Sequence, residues 1–235
     1  MEILKGILKK FGYTIRRVDT PTRSLERGLG VLAQSIRPTG VIDVGVGRGT
    51  PELYAAFPPK SFPYLLVEAD PYFADTLKEL GQTLPAKTEL SFCGSQKGSI
   101  TLHRAANHQQ SSFRRTKKWS PVDDVTVPVE QLDMLIRRNG LPSKDLLIKL
   151  DAEGAEMEIL KGAGDALCGA CAVVLETSVG PRFEEEKGRD PFGEIVSFMH
   201  EHGFRVVDML AGSNQANMFS QVDLVFIPIK AGQPE

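Results

Sequence analysis

The sequence predicts an α/β fold with a Rossmann-like, doubly wound and mostly parallel sheet. From residue 41 onward, short apolar runs alternate with segments of helical periodicity, the pattern of a parallel sheet with crossover helices. A glycine-rich turn follows the first apolar run, and an acidic residue ends the second. The chain has 235 residues, of which 41% are hydrophobic, so it is long enough to bury the core of one such domain.

Charge balance and cysteine content narrow the classes of function. The 28 basic and 30 acidic residues give a net charge of −2, so we expect no electrostatic attraction strong enough to bind nucleic acid stably. Three cysteines, an odd number, argue against a disulfide framework and predict a reducing compartment, the cytoplasm. Because no apolar run approaches the roughly 18 residues of a spanning helix, we expect no membrane span.

Residues 1–39 are predicted to form a helical appendage. The first helix, over residues 3–11, is basic and amphipathic, with its apolar residues at four-residue spacing. A second helix is expected to begin after Thr22 or Ser24 and to stop before Pro38. Both helices precede the main sheet.

The main domain is predicted to span residues 40–235. Its strands are expected at 41–44, 64–67, 90–93, 146–150, 172–175, 204–208 and 222–228, and its helices at 50–57, 71–81, 129–139, 156–167 and 191–203. Two extra strands, 99–103 and 125–129, interrupt this alternation. The polar stretch 105–121 between them has no hydrophobic period and is long enough to indicate a functional loop.

The strongest local signal is the turn Asp43-Val44-Gly45-Val46-Gly47-Arg48-Gly49 between a strand and a helix. Glycines permit a tight turn and close approach of backbone to a ligand, and the next helix offers free amides to a negative group. Position 50 is Thr50, so the nicotinamide spacing G-x-G-x-x-G is not met. Glu68, at the end of the second strand, is placed to accept both hydroxyls of a ribose. Together these features predict a site for an adenosine cofactor.

This turn resembles the S-adenosylmethionine motif of class I methyltransferases. Two further segments, Val127-Pro128-Val129-Glu130-Gln131-Leu132-Asp133 and Leu147-Ile148-Lys149-Leu150-Asp151-Ala152-Glu153-Gly154-Ala155-Glu156, are similar to the signature of FkbM-type methyltransferases, as is Leu160-Lys161-Gly162-Ala163. The resemblance covers about residues 40–177. It implies a class I fold with an antiparallel last strand and S-adenosylmethionine as cofactor.

The resemblance also implies a set of cofactor-binding residues. The methionine end would lie over the glycine turn, the ribose on Glu68, the adenine near Ser95 and the reactive methyl beside Asp151. The full set is Asp43, Gly45, Val46, Gly47, Gly49, Glu68, Ala69, Ser95 and Asp151. The family usually has asparagine at Gly47 and often aspartate at Ser95, so the contacts at these two positions are expected to differ.

The catalytic candidates are Asp151, Glu153 and His108. A hydroxyl is a poor nucleophile at neutral pH, so a carboxylate beside it can act as general base, and we expect Asp151 to do so. His108 would serve if the 105–121 stretch folds over the site. Asp151 and Glu153 can alternatively bind a divalent cation such as magnesium. Glu153 and Glu156 can instead stabilise the start of the next helix.

The resemblance implies methyl transfer to oxygen, with a small-molecule or glycan acceptor such as a sugar or natural product. Methylation of RNA or protein is an alternative, favoured only by the basic stretch 113–119. A cofactor-binding module without activity is a second alternative. A homo-oligomer and a monomer are both left open.

Overall fold

A computed structural model describes residues 23–116, 120–180, 182–183, 186–210, 214–215 and 218–229. The predicted helix over residues 3–11 lies outside them. The strands are β1 (Gly40–Val44), β2 (Tyr64–Glu68), β3 (Lys87–Leu90), β4 (Phe92–Cys93), β5 (Gly98–Arg104), β6 (Asp123–Glu130), β7 (Leu146–Leu150), β8 (Ala170–Ser178), β9 (Phe204–Met209), β10 (Asn214–Gln215), β11 (Met218–Phe219) and β12 (Gln221–Pro228). The helices are α1 (Leu25–Ser35), α2 (Pro51–Ala56), α3 (Ala74–Thr83), α4 (Leu132–Arg138), α5 (Glu156–Lys161), α6 (Gly164–Cys168) and α7 (Pro191–Glu201), with one 3₁₀ turn (Pro71–Phe73).

Seven strands form the central sheet in the order β3-β2-β1-β7-β8-β12-β9. The pairs between β3, β2, β1, β7 and β8 are all parallel, whereas β12 runs antiparallel to both β8 and β9. The predicted fold class, with its antiparallel last strand, is confirmed. Val44 pairs with Val67 on one side and Leu150 on the other, so the carboxyl ends of β1, β2 and β7 lie side by side. This edge is where an open parallel sheet binds ligands.

Helices cover both faces of the sheet because the strands are apolar on both faces. All five residues of β1, β2 and β7 are buried, as expected for central parallel strands. On one face α1 packs Leu29 and Leu32 against the sheet. Its start matches the prediction, since Ser24 caps it by accepting from the amide of Arg27 at 3.3 Å.

The third predicted strand, 90–93, is wrong. The chain leaves the central sheet at Ser91, so this segment belongs to two strands in two different sheets. The amide of Ser91 donates to the carbonyl of Glu68 at 2.8 Å, which ends the pairing of β3 with β2. The next two residues, Phe92 and Cys93, pair with β6 instead. β4, β6 and β5 form a separate three-stranded sheet, and the two predicted extra strands are confirmed as β5 and β6.

The predicted helix 156–167 is also interrupted. α5 ends at Lys161 and α6 begins at Gly164. Between them Gly162 packs against the chain beside β4, and a Cβ on Gly162 would lie 2.1 Å from the carbonyl oxygen of Gly94. Only glycine fits this contact, and the contact holds the small sheet close to the central one.

Across the described ranges, no helix combines the length and the apolar character that crossing a membrane requires.

Candidate active site

A cavity of about 270 Å³ opens at the carboxyl ends of the strands. Its lining includes seven of the nine predicted cofactor residues and all three catalytic candidates: Gly45, Val46, Gly47, Gly49, Glu68, Ala69, Asp151, Glu153 and His108. Two regions of the lining differ in chemistry. We call Gly45–Gly49 with Glu68 the glycine end, and we call Asp151, Glu153 and Glu176 the carboxylate end.

The glycine turn needs its glycines because of backbone conformation. Gly45, Gly47 and Gly49 have φ values of 81°, 52° and 102°, in the region that side chains disfavour. A Cβ on Gly45 would lie 1.8 Å from the carbonyl oxygen of Asp151. The ends of β1 and β7 can therefore approach this closely only with glycine here. Among the residues that the structure describes, none has an atom within 4 Å of a Cβ built on Gly47, so this side of the turn is open.

Glu68 joins β2 to the glycine turn. Its carboxylate accepts from the backbone amides of Gly47 at 2.6 Å, Ala69 at 2.8 Å and Asp70 at 2.7 Å. Burial raises the pKa of Glu68, and the three amide donors oppose that rise. A carboxylate has about four acceptor sites, so one remains for a ligand hydroxyl.

Asp43 and Ser95 are the predicted cofactor residues that do not line this cavity. Asp43 is fully buried beneath the turn, where it accepts from the hydroxyl of Tyr54 at 2.8 Å. Ser95 instead donates to Glu158 at 2.8 Å. The close packing of Gly162 on the backbone beside Ser95 fixes this position. Direct cofactor contacts from these two side chains have no support in the geometry.

A buried lysine holds Asp151 at the end of β7. Lys149 is 2% exposed, and its Nζ lies 3.1 Å from Oδ2 of Asp151. Burial alone would lower the pKa of Lys149, but the carboxylates of Asp151, Asp43 and Asp223 outweigh it and raise the pKa. The ammonium in turn stabilises the negative charge of Asp151, whose side chain is 39% exposed. Asp151 is thus an accessible carboxyl group with one oxygen turned to its lysine.

Glu153 reaches the cavity from a tight turn that follows β7. β7 ends at Leu150, and Glu153 has a φ of 49°, which is strained for a residue with a side chain. Its carboxylate forms an ion pair with Arg182, Nη1 to Oε2 at 2.5 Å. Burial raises the pKa of Glu153 to about 7 against the attraction of Arg182. Strain at a partly buried ionisable group is typical of functional sites.

Glu156 shapes the turn that carries Glu153. Its carboxylate accepts from the amides of Ala152 at 2.9 Å and Gly154 at 3.1 Å, just before α5 begins. The alternative role at the helix start therefore fits Glu156. For Glu153 it does not fit, because that carboxylate faces the cavity and Arg182.

Glu176 is a site residue that sequence reasoning missed. It lies near the end of β8, lines the cavity, and has a carboxyl oxygen within 4.8 Å of carboxyl oxygens of Asp151 and Glu153. The signal was present in the sequence, because Glu176 directly follows the apolar run that ends at Leu175. Lys149 and Arg182 were also missed as partners of the predicted acids.

The described part of the 105–121 stretch packs on the rim of the cavity. Ser112 is 1% exposed and donates to the carbonyl of Glu153 at 2.6 Å. His108 stacks on Tyr72, with ring centroids 3.7 Å apart, and lies 3.4 Å from Asp70. These contacts place His108 near the end of β2, on the Glu68 side. Its role as a base stays a prediction.

The lining fits an adenosine cofactor better than it fits a divalent cation. The open glycine turn and the remaining acceptor site of Glu68 suit the amino-acid end and the ribose of S-adenosylmethionine. The carboxylate end has the oxygen ligands that magnesium prefers. However, Lys149 already neutralises Asp151 and Arg182 already neutralises Glu153. A divalent ion would have to displace these cations, so the residues present do not fit a magnesium site.

Comparison with known proteins agrees with this geometry. A family model described as the methyltransferase FkbM domain matches residues 43–206, more than half of the chain. The matched region begins at Asp43, runs through the glycine turn and the carboxylate end, and stops in β9. No protein with a curated description matches the sequence significantly.

Solved structures with similar folds have low sequence identity to this chain. One is a TehB-like SAM-dependent methyltransferase from Corynebacterium glutamicum, at 14% identity over 97% of each chain, with a TM-score of 0.44. Another is magnesium protoporphyrin IX methyltransferase from Synechocystis with bound SAH, at 10% identity over 97% of this chain and 99% of that chain, with a TM-score of 0.44. Similarity at this level does not identify an acceptor.

Proposed function

The chain belongs to the FkbM methyltransferase family, and we propose that it transfers a methyl group from S-adenosylmethionine to a hydroxyl oxygen of a sugar-like small molecule or glycan. The proposal rests on the position and surroundings of Asp151. It is an accessible carboxylate in the same cavity as the glycine turn, with its charge held by Lys149.

The glycine end would hold the cofactor. S-adenosylmethionine, when bound, supplies an electrophilic methyl group on a positively charged sulfur. The open side of the glycine turn leaves room for its amino-acid end, and the free acceptor site of Glu68 can bind a ribose hydroxyl. The hydrogen bond from the Gly47 amide to the Glu68 carboxylate fixes the position of the turn relative to β2, so both contacts can form to one cofactor.

Asp151 would act on the acceptor. Its carboxylate takes the proton of the acceptor hydroxyl as that oxygen bonds to the methyl carbon. The electrons of the broken carbon–sulfur bond remain on sulfur, so charge and atoms balance. Lys149 bonds to one Asp151 oxygen and leaves the other for this proton. A base positioned in this way contributes about two to four orders of magnitude in rate.

The cavity favours a neutral acceptor over RNA. On the acceptor side Lys149 pairs with Asp151 and Arg182 pairs with Glu153, so neither of these cations is free to bind a phosphate. Arg114, from the basic stretch, instead donates to the carbonyl of Gly154 at 3.0 Å. We therefore prefer a hydroxylated small molecule or glycan, with RNA or protein methylation and a module without activity as outcomes of the test.

We also propose the cytoplasm as the location. The three cysteines, Cys93, Cys168 and Cys171, are all free. Burial raises the pKa of the Cys93 thiol to about 12, so this thiol is inert. Free thiols in a chain of this size are typical of reducing compartments.

The test is methyl transfer from radiolabelled S-adenosylmethionine to three acceptor sets: hydroxylated small molecules and glycans, RNA, and proteins. The proposal predicts label in an O-methyl product of the first set, with activity unchanged by EDTA. Label only in RNA or protein would support the alternative acceptor classes, and loss of activity with EDTA, restored by magnesium, would contradict the metal-free step. Tight cofactor binding with no product in any set would support the non-catalytic module.

A further inference from the structure

The carboxylate end holds three acids in two different situations. Asp151 has Lys149 at 3.1 Å and Glu153 has Arg182 at 2.5 Å. Glu176 has no cationic partner within the described residues. Its neighbour is an amide, since Nε2 of Gln221 donates to Oε2 of Glu176 at 2.6 Å.

We propose that Glu176 is a specificity-determining acid that donates a hydrogen bond to the oxygen next to the methylated hydroxyl, so that the acceptor is a vicinal diol. The proposal rests on the O-methyl transfer proposed above. Asp151 would accept from the reacting hydroxyl while Glu176 donates to its neighbour. The two carboxyl groups have oxygens within 4.8 Å of each other, so adjacent hydroxyls can meet both.

The electrostatics around Glu176 support a protonated acid. The charged groups with the largest effect on it come from the end of β7, from β12 and from α5, and they are four acids: Asp151, Glu153, Asp223 and Glu156. The two cations of this cluster, Lys149 and Arg182, are paired with Asp151 and Glu153. Burial, followed by these acids, raises the pKa of Glu176 to about 9. A carboxylic acid that stays neutral at pH 7 can donate a hydrogen bond, which an ionised carboxylate cannot.

The arrangement also gives a reason for selectivity. A mono-hydroxyl acceptor would leave the proton of Glu176 without a partner in a partly buried site. Sites of this kind reject analogues that lack the matching oxygen, because unpaired buried donors are costly. The diol would thus be recognised by one acceptor and one donor in the same cavity.

The first experiment measures the protonation of Glu176 and needs no acceptor. In the unfolded chain this group ionises near its ordinary pKa of 4.5, whereas in the folded protein it keeps its proton to about pH 9. Folding therefore takes up a proton between these values, and the wild type loses stability as pH rises. The Glu176→Gln variant has no such proton, so its Tm relative to wild type should rise from pH 5 to pH 8.5, by about 9–18 °C.

The matched control is Glu158→Gln. Its ion pair with Lys161 lowers the pKa of Glu158, so this control should show no gain in relative Tm as pH rises. If the Tm difference between Glu176→Gln and wild type stays flat with pH, Glu176 is ionised in the folded protein and the proposal is overturned.

The second experiment tests recognition with cis-cyclohexane-1,2-diol and cyclohexanol as probes. We expect saturation-transfer NMR on the S-adenosylhomocysteine-loaded protein to show about ten-fold stronger binding of the diol. Glu176→Gln, which keeps a donor, should retain this preference, and Glu176→Leu should lose it. Equal binding of the two probes, no diol binding, or loss in both variants overturns the proposal. Failure of S-adenosylhomocysteine itself to bind would instead overturn the proposed function.

Discussion

The glycine end of the cavity is built from backbone groups around one carboxylate, that of Glu68, whereas the carboxylate end is built from charged side chains. At the glycine end, the three glycines and the amides bound by Glu68 come from β1, β2 and their turns. At the carboxylate end, Asp151 directly follows β7 and Glu176 lies on β8, and Asp151 depends on Lys149, which is buried within the sheet. A backbone cradle can bind one conserved type of ligand, and side chains on separate strands can vary to suit different acceptors. Binding and chemistry should therefore be separable by mutation.

The largest difference between the effect on methyl transfer and the effect on cofactor binding is expected for Asp151→Asn. This change keeps the shape of the side chain and removes its charge, so it removes the base while leaving the glycine end intact. Methyl transfer should fall by about two to four orders of magnitude, with the dissociation constant of S-adenosylmethionine nearly unchanged. Turnover and calorimetry measure the two effects.

The control for this prediction is Asp75→Asn, which alters an exposed aspartate in the first turn of α3. It should leave both quantities at the wild-type level. Near-normal turnover by Asp151→Asn on a true acceptor would remove Asp151 from the mechanism and would direct attention to Glu153 and His108.

A smaller effect is expected at Ser112, in the part of the 105–121 stretch that packs on the rim of the cavity. Ser112→Ala removes the bond to the Glu153 carbonyl and the acceptor for the Arg114 amide. Because cleavage follows the population of the open form, trypsin should cut near Arg114 about five-fold faster than in wild type. Ser99→Ala, at an exposed position of β5, serves as the control. An unchanged cleavage rate would show that these bonds do not hold the stretch closed.

The difference between the glycine end and the carboxylate end also explains which features of the fold and the site could be predicted from the sequence. The glycine turn and Glu68 were predictable because φ requirements and strand ends are encoded within a short stretch of chain. Glu176 was missed because its meeting with Asp151 depends on the order of strands in the folded sheet. The switch between sheets at Ser91 was missed because the apolar run continues through it while the hydrogen-bond partners change.

The pairing of side chains in the folded protein is a further feature that the sequence did not predict. Composition and motif gave Asp151 a role, but nothing local showed that Lys149 would neutralise it from within the sheet. Similarly, Ser95 follows β4 as a cofactor contact should, yet packing around Gly162 directs its hydroxyl to Glu158. Such outcomes depend on tertiary packing, which residue spacing does not reveal.

The central claim is that the glycine end binds S-adenosylmethionine through Glu68, and calorimetry of Glu68→Ala tests it most directly. Loss of the carboxylate removes its ribose contact and its bond to Gly47, so the affinity should fall about 10- to 150-fold. Glu79→Ala, at an exposed site on α3, should bind like wild type. Undiminished binding by Glu68→Ala, or tighter binding of NAD than of S-adenosylmethionine by wild type, would contradict the claim.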